Sequence, residues 1–341
     1  MMKRRIVLPS DIILRLIRFL KGGAVLSTQD VYIGDIAVGR GRPCFFVAEI
    51  GINHNGSLEI AKKLIKAAAQ AGAQAVKFQK RTVSTVYSPE ELAKPRSVDR
   101  LVLENAIQRG ILSKEAVQRL RQSNFQNSTN GDLKWALEFT ELEYHEIFTY
   151  AKEQGVLCLA SPWDLESVDF LEKFNPPCHK IASAMLTNHK LLRKVRVTGR
   201  PVILSTGMST MEEIVEAVNV LGQENLILLH TVSTYPAKEG ELELRLITNL
   251  RHRFPIVPIG YSGHETGLAP TLGAVAFGAH LVERHITLDR HMFGTDQMAS
   301  LEPSEFNQLI KDVRSFESSV GSGIKKVLDS EIPIREKLRR H

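Results

Sequence analysis

The chain has 341 residues, 43% of them hydrophobic and 24% charged, the balance of a globular protein that buries a sizeable core. Its formal charge of +6 is concentrated at the ends, with +5 in residues 1–21 and +3 in residues 325–341, which leaves the body at −2. No stripe of basic and aromatic residues offers a surface to nucleic acid, no apolar run reaches the roughly 20 residues that span a bilayer, and Cys44, Cys158 and Cys178 lack metal-type spacing and read as reduced thiols of a cytoplasmic protein.

Residues 1–30 form a basic extension in which Asp11 can cap a short predicted helix. Arg15 and Arg18 interrupt its apolar run, which argues against a secretory signal. Two readings remain: a helix packed on the body or a frayed extension, and a basic amphipathic helix on an anionic membrane surface. The stretch "VYIGDIAVGRGR" reads as a hairpin around Gly34 and Asp35.

A repeating grammar then begins, in which apolar runs at 44–51, 73–79, 156–163, 179–184, 200–207, 225–232, 257–264 and 280–287 alternate with amphipathic helical patterns. Ser57 is the expected cap of the first of these helices, which ends at Gly72. Ser209 with Glu212 makes an expected capping box for the helix ending at Gly222. Strands without half-polar alternation predict a parallel sheet covered on both faces. Eight strand–helix units, with no GxGxxG after the first strand, predict an α/β protein built as a (β/α)8 TIM barrel over residues 31–324, followed by a basic tail at 325–341. The rhythm breaks at 80–140, a long insertion after the second strand, with helices in "RLVLENAIQRGILSKEAVQRL" and a polar, mobile connection expected in "RQSNFQNSTNGD". On the strand-to-helix side it hangs over the active face, either as a lid or as a surface insertion without a role.

In this architecture functional groups project from the carboxyl ends of the strands. Glu49 ends the first, Lys77 and Gln79 the second, Lys180 and Ser183 lie in the fourth, and Ser205 ends the fifth. Ser233 and Tyr235 follow the sixth, Ser262 and His264 end the seventh, and Glu283 and His285 end the eighth. Residues two apart share a face, so Lys77 with Gln79, Ser262 with His264 and Glu283 with His285 are expected to point together into the mouth. Singly, a strand lysine can snorkel or pair with Glu283, a histidine can be a hydrogen-bonded core residue, and a serine can be a helix cap. Jointly, lysines, hydroxyls, imidazoles and acids at successive strand ends suit an anionic substrate and a divalent cation. His54, in the loop after Glu49, reads as shaping or lining the site rather than ligating.

The motifs "AEIGINHNGS", "VKFQK", "HKIASA", "VILSTGMST", "LLHTVSTYP", "IGYSGHE", "VERHITLD" and "GTDQMASLEP", in this order, resemble the sialic acid synthase family over roughly residues 30–320. The resemblance implies condensation of phosphoenolpyruvate with an N-acylated amino sugar, N-acetylmannosamine or a related hexosamine, to a nonulosonic acid and phosphate. It implies that Lys77, Lys180, Ser183, Ser205, Ser233 and Ser262 hold phosphoenolpyruvate. It also implies Mn2+ or Mg2+ on His264 and His285, with Glu49, Gln79, Tyr235 and Asp296 facing the open-chain sugar and the reacting carbons, in a homodimer. Two departures stand out: Met185 occupies the place of a sugar-contacting Glu, and too few residues follow the barrel for the antifreeze-like domain that members carry. The competing readings are a Schiff-base pyruvate aldolase with Lys77 or Lys180 as nucleophile, and a degenerate barrel that only binds.

Overall fold

A computed structural model describes residues 28–339; the expected N-terminal helix lies outside the described residues. The hairpin forms from β1 (Val31–Ile33) and β2 (Ile36–Val38), paired antiparallel. Each of the eight expected runs then supplies one strand. They are β3 (Phe45–Gly51), β4 (Ala75–Lys80), β5 (Leu157–Pro162), β6 (His179–Ile181), β7 (Val202–Ser205), β8 (Leu226–Thr231), β9 (Ile259–Gly263) and β10 (Leu281–His285). They form one sheet in the order β5-β4-β3-β10-β9-β8-β7-β6, with all ladders parallel. Pairing of the last strand with the first, β10 with β3, bends the sheet into the barrel. β5 and β6 touch without a ladder. Pro176 and Pro177, just before the three-residue β6, carry no amide donor, so the strand is not extended at its amino end.

Helices cover the sheet in chain order. α1 (Leu58–Ala71) follows β3, and the insertion carries α2 (Val83–Val86), α3 (Pro89–Ala93), α4 (Arg100–Gln108), α5 (Lys114–Gln122) and α6 (Asn130–Ala136). The barrel resumes with α7 (Glu141–Glu153), α8 (Leu165–Glu172), α9 (His189–Val197) and α10 (Met211–Leu221). It ends with α11 (Arg245–Arg253), α12 (Ala269–Ala276), α13 (Pro303–Ser319) and an exposed α14 (Ile332–Leu338). Among the described residues no helix is long and apolar enough to cross a membrane. α1 is capped as expected, with Ser57 accepting from Ile60 N–H and Gly72 in the left-handed conformation at the C-cap. The expected box at α10 is shifted by one residue: Thr210 accepts from Glu213 N–H and Glu213 reaches back to Thr210 N–H. "ST" followed by "EE" fits both registers, and the helix takes the one that leaves Ser209 free to donate to the Gly207 carbonyl.

The barrel interior is apolar below and polar above. Phe45, Val47, Ala75, Leu159, Ile203, Ile227, Leu229 and Leu281 pack in one cluster with Val31, Ile33 and Val38, so the hairpin plugs the amino-terminal end of the barrel. Each fully buried Val, Leu, Ile or Phe among them contributes about 1.5–3 kcal/mol. One strand step further, at Glu49, Lys77, Ser161, Lys180, Ser205, Thr231, Ser262 and Glu283, the same inward faces turn polar. Cys44, Cys158 and Cys178 are all free and buried.

The insertion builds its own small core from Val102, Leu103, Ala106, Leu120, Leu133 and Ala136, packed onto Ile52 of the loop after β3 and Phe293 of the loop after β10. Arg109 fastens it by donating to the carbonyls of Ala136 and Glu138 and pairing with Glu143 at 2.6 Å. Gly56 has φ +73°, and a Cβ there would overlap the Ala136 carbonyl oxygen, so glycine sets how closely this layer approaches the barrel. "RQSNFQNSTNGD", expected to be mobile, is instead pinned. Arg119 grips Asp132 at 2.8 Å, buried Ser128 donates to the Arg96 carbonyl, and Thr129 caps α6.

Candidate active site

Inward positions at the carboxyl ends of the strands enclose a cavity of about 210 Å3. Its floor is a buried tetrad of alternating charge. Lys77 Nζ lies 2.7 Å from Glu49 Oε2 and 3.5 Å from Glu283 Oε1, and Lys180 Nζ lies 3.0 Å from that same Glu283 oxygen, all four side chains being 2–4% exposed. Strand register brings them together: Glu49 pairs with Lys77 across β3–β4 and with His285 across β3–β10. Gln79 donates to Glu49 Oε1 at 2.9 Å, and Arg81 donates to Gln79. Lys77 also donates to Ser161 Oγ at 3.2 Å, and Ser262 to Glu283 Oε1 at 3.3 Å.

Burial works against every charge in this group, and the partners decide the balance. For Lys77, Glu283 and Glu49 outweigh burial and raise the ammonium above its ordinary value, the wrong direction for a Schiff-base nucleophile. For Lys180, burial together with Lys77 lowers it, against the pull of Glu283. Against the effect of burial, Lys180 and Lys77 hold the Glu283 carboxyl well below the usual carboxylate range, whereas burial and the neighbouring Glu283 push Glu49 up.

One wall is built of hydroxyls. Ser183 follows β6 in a 3-10 turn, Ser183–Met185, rather than lying within the expected strand, because β6 ends at Ile181. Ser205 ends β7 with its hydroxyl buried and without a hydrogen-bond partner, so it is no helix cap. Gly207 N–H donates to Ser183 Oγ at 3.0 Å. A Cβ on Gly207 would overlap Ser233 Oγ and lie 2.9 Å from Ser183 Oγ, so the glycine lets these two serines close on its backbone. Convergent hydroxyls and amides beside two lysines are a cradle for phosphate oxygens. Gly207→Ala is expected to raise KM for the anionic substrate about tenfold while moving the melting temperature little; steady-state kinetics alongside thermal unfolding checks it.

The adjoining wall holds the imidazoles. His264 Nδ1 is fixed by the Val232 carbonyl at 2.6 Å, and the rings of His264 and His285 are 5.5 Å apart. His285 Nδ1 is buried without a hydrogen-bond partner, 3.9 Å from Asp296 Oδ2. Burial, then the neighbouring His285, pushes His264 down to about 3. Burial with the two lysines pushes His285 down to about 4. Both rings are therefore neutral near pH 7, the form that ligates a cation. Among the described residues no three His, Cys, Asp or Glu side chains group closely enough to hold an ion alone. The donor set nevertheless fits a divalent cation, because two neutral imidazoles beside a carboxylate leave the remaining positions for substrate oxygens and water. Tyr235 packs against His264 with ring centroids 4.0 Å apart and the planes tilted by 37°, and meets His285 edge-on at 5.7 Å.

Every residue expected to bind substrate or metal or to act in catalysis lines this cavity except Asp296, which stands just outside it beside His285. Glu283 has a larger part than the sequence reading assigned, and its place two residues before His285 was the available signal. Trp163 and Met208 also line the cavity, with Met208 70% exposed and at φ +58°, a backbone strain of the kind that marks functional rims. Met185 does not line it but packs against the outer core around Ile181 and Leu204. His54 does not line it either: it is buried against Phe139 at 4.3 Å and accepts from Gly56 N–H, shaping the loop.

The NeuB family matches residues 103–325. The chain is 38% identical over 304 residues, 88% of its length and 78% of the relative's, to N-acetylneuraminate-9-phosphate synthase of Homo sapiens. It is 37% identical over 290 residues, 84% of its length and 80% of the relative's, to N,N'-diacetyllegionaminic acid synthase of Campylobacter jejuni. The crystal structure of the N-acetylneuraminic acid synthetase of Leptospira borgpetersenii, in complex with citrate, superposes with a TM-score of 0.73 at 31% identity, covering 92% of this chain and 99% of that one. The chain therefore belongs to the NeuB family, the sialic acid synthases whose motifs line this barrel mouth.

Proposed function

We propose that the protein condenses phosphoenolpyruvate with an N-acylated amino sugar to give a nonulosonic acid and phosphate. The observation that carries the reading is the charge-balanced tetrad Glu49–Lys77–Glu283–Lys180 at the foot of a serine cradle, facing two neutral imidazoles. The named relatives make different nine-carbon acids, so the reaction class transfers more firmly than any one acceptor.

In this reading Lys77 and Lys180 bind the carboxylate and phosphate of phosphoenolpyruvate, with Ser183, Ser205, Ser233 and Ser262 taking the remaining oxygens. A divalent cation, Mn2+ or Mg2+, held by His264 and His285 with Asp296 beside them, would supply Lewis-acid polarisation of the acceptor carbonyl. C3 of phosphoenolpyruvate bonds to the aldehyde carbon, whose oxygen becomes a hydroxyl by taking a proton. Positive charge develops at C2, where the Glu49 carboxylate stabilises it. Water adds at C2 and gives up one proton, and the tetrahedral intermediate expels inorganic phosphate to leave the ketone. Gln79 keeps Glu49 oriented through its 2.9 Å hydrogen bond.

A panel of N-acylated hexosamines, offered with phosphoenolpyruvate and Mn2+, tests this by phosphate release. Release that needs both substrates, stops with chelator and returns with Mn2+ is the expected result, and His285→Ala should lose the metal-restored turnover. Release without acceptor, or borohydride trapping of pyruvate on a lysine, would overturn it.

A further inference from the structure

Among the described residues the largest fully buried side chain is that of Arg284, and nothing in the proposed chemistry uses it. Glu283 and His285 point into the barrel mouth, so Arg284 between them points outward, toward α12. There it meets Glu265, itself fully buried, with Nη1 3.0 Å from Glu265 Oε1.

The guanidinium does more than pair with an acid. Nη1 also donates to the Gly267 carbonyl at 3.1 Å and to Thr271 Oγ1 at 2.7 Å, and Nη2 donates to the Glu265 carbonyl. It therefore ties β10 to the loop between β9 and α12 and to the first turn of that helix. Glu265 is held from its other side as well, by Tyr261 donating to Oε2 at 2.8 Å and Thr271 donating to Oε1 at 2.6 Å. A Cβ on Gly263 would lie 2.6 Å from Glu265 Oε2 and 2.6 Å from the Tyr261 ring, so glycine lets the carboxylate fold back along β9. Apolar side chains in place of a buried ion pair commonly leave stability unchanged or improve it, so packing alone gives no reason for this one.

Its place in the chain gives one. Glu265 directly follows His264, and Arg284 directly precedes His285. Register sets Arg284 beside Gly263 across β9–β10, so the pair lies just behind the two imidazoles. His264 comes after the last residue of β9, where the ladder no longer fixes the backbone. We propose that Arg284 and Glu265 are positioning residues for a divalent cation: by gripping the loop from outside the barrel, they set the spacing at which His264 and His285 reach one ion. The inference rests on the cation in the condensation reading. It adds residues that touch neither the ion nor the substrates.

The test titrates Mn2+ alone into the wild type, Arg284→Met/Glu265→Leu and Arg284→Lys, with free Mn2+ read by electron paramagnetic resonance and folding by thermal unfolding. The double variant removes both charges together, so it should unfold near the wild-type temperature while its Kd for Mn2+ rises about 10–100-fold, the usual effect of losing an outer partner of a metal ligand. The Mn2+ concentration for half-maximal phosphate release should rise in step, with KM for phosphoenolpyruvate within about threefold of wild type. Arg284→Lys keeps a charge opposite Glu265 but loses the planar fork that spans the loop carbonyls, so it should weaken Mn2+ binding at least about threefold. It decides the matter if the double variant does not fold. A lower unfolding temperature with unchanged Mn2+ affinity would make the pair purely structural and overturn the proposal. A wild type that takes up no Mn2+ would overturn the cation reading itself, whereas wild-type binding that persists unchanged in the folded variants overturns the positioning role alone.

Discussion

Glu49→Gln is expected to lower kcat by about 10²–10³-fold, the size of effect seen when one preorganised electrostatic group is removed from a transition state. The substitution keeps the volume and a hydrogen-bonding partner for Gln79, so the loop after β3 should hold its shape. It removes the negative charge that lies 2.7 Å from Lys77. Two consequences follow with opposite signs. Charge developing at C2 loses its counter-charge, which slows the chemical step. The ground-state anion, meanwhile, no longer shares Lys77 with a carboxylate, so binding of phosphoenolpyruvate should be unchanged or tighter. A fall in kcat with no rise in KM for phosphoenolpyruvate, supported by calorimetric binding, is therefore the expected signature. A variant within threefold of wild-type kcat would remove Glu49 from the mechanism, and a large rise in KM would make it a binding residue instead. Glu49→Asp, which shortens the reach to both Gln79 and Lys77, should fall between the two.

Which parts of this site were legible in the sequence follows from how local each signal is. The barrel was readable because each strand carries its own evidence: a short β-branched run, buried on both faces, with a polar residue at its carboxyl end. The shared faces of Lys77 with Gln79, Ser262 with His264 and Glu283 with His285 followed from the two-residue period alone, and all six line the cavity. What was not legible depends on register between strands and on loops. Glu283 reads as one more strand-end acid until the fold sets its Oε1 between Lys77 and Lys180. Gly207 reads as a turn residue until Ser183 and Ser233 converge on it from other loops. Met185 reads as a change in the sugar pocket, but the turn after β6 directs it to the outer core. The insertion's packing is least visible of all, because Arg96 and Lys134 are 38 residues apart in sequence and line one cavity only through its fold.

Glu283→Leu should be the most destabilising single change at the barrel mouth, by about 3–5 kcal/mol in the absence of ligand. The cost comes from what is left behind. Lys180 loses its one carboxylate, Lys77 keeps only Glu49, and Ser262 loses its acceptor, all at sites nearly closed to water. Neutralising or ligating the stranded charge should recover part of the loss in two independent ways. Lys180→Met combined with Glu283→Leu replaces the pair by apolar side chains of similar size, which commonly restores stability, so the double variant should be more stable than Glu283→Leu alone, with a coupling of at least about 1 kcal/mol. Phosphoenolpyruvate or inorganic phosphate supplies anionic oxygens to the same lysines. A ligand present at about 100-fold its Kd adds some 2.7 kcal/mol to any protein that binds it only when folded. The single variant, with its lysines unpaired, should bind phosphate more tightly than the wild type and gain more from a given concentration. Urea unfolding of the wild type and both variants, with and without phosphate, measures all three quantities. Additive costs in the double variant, or equal phosphate stabilisation in the single variant and wild type, would show that the four charges do not act as one unit. The neutral tetrad would then be a matter of packing, and the lysines would lose their claim to be held ready for an incoming anion.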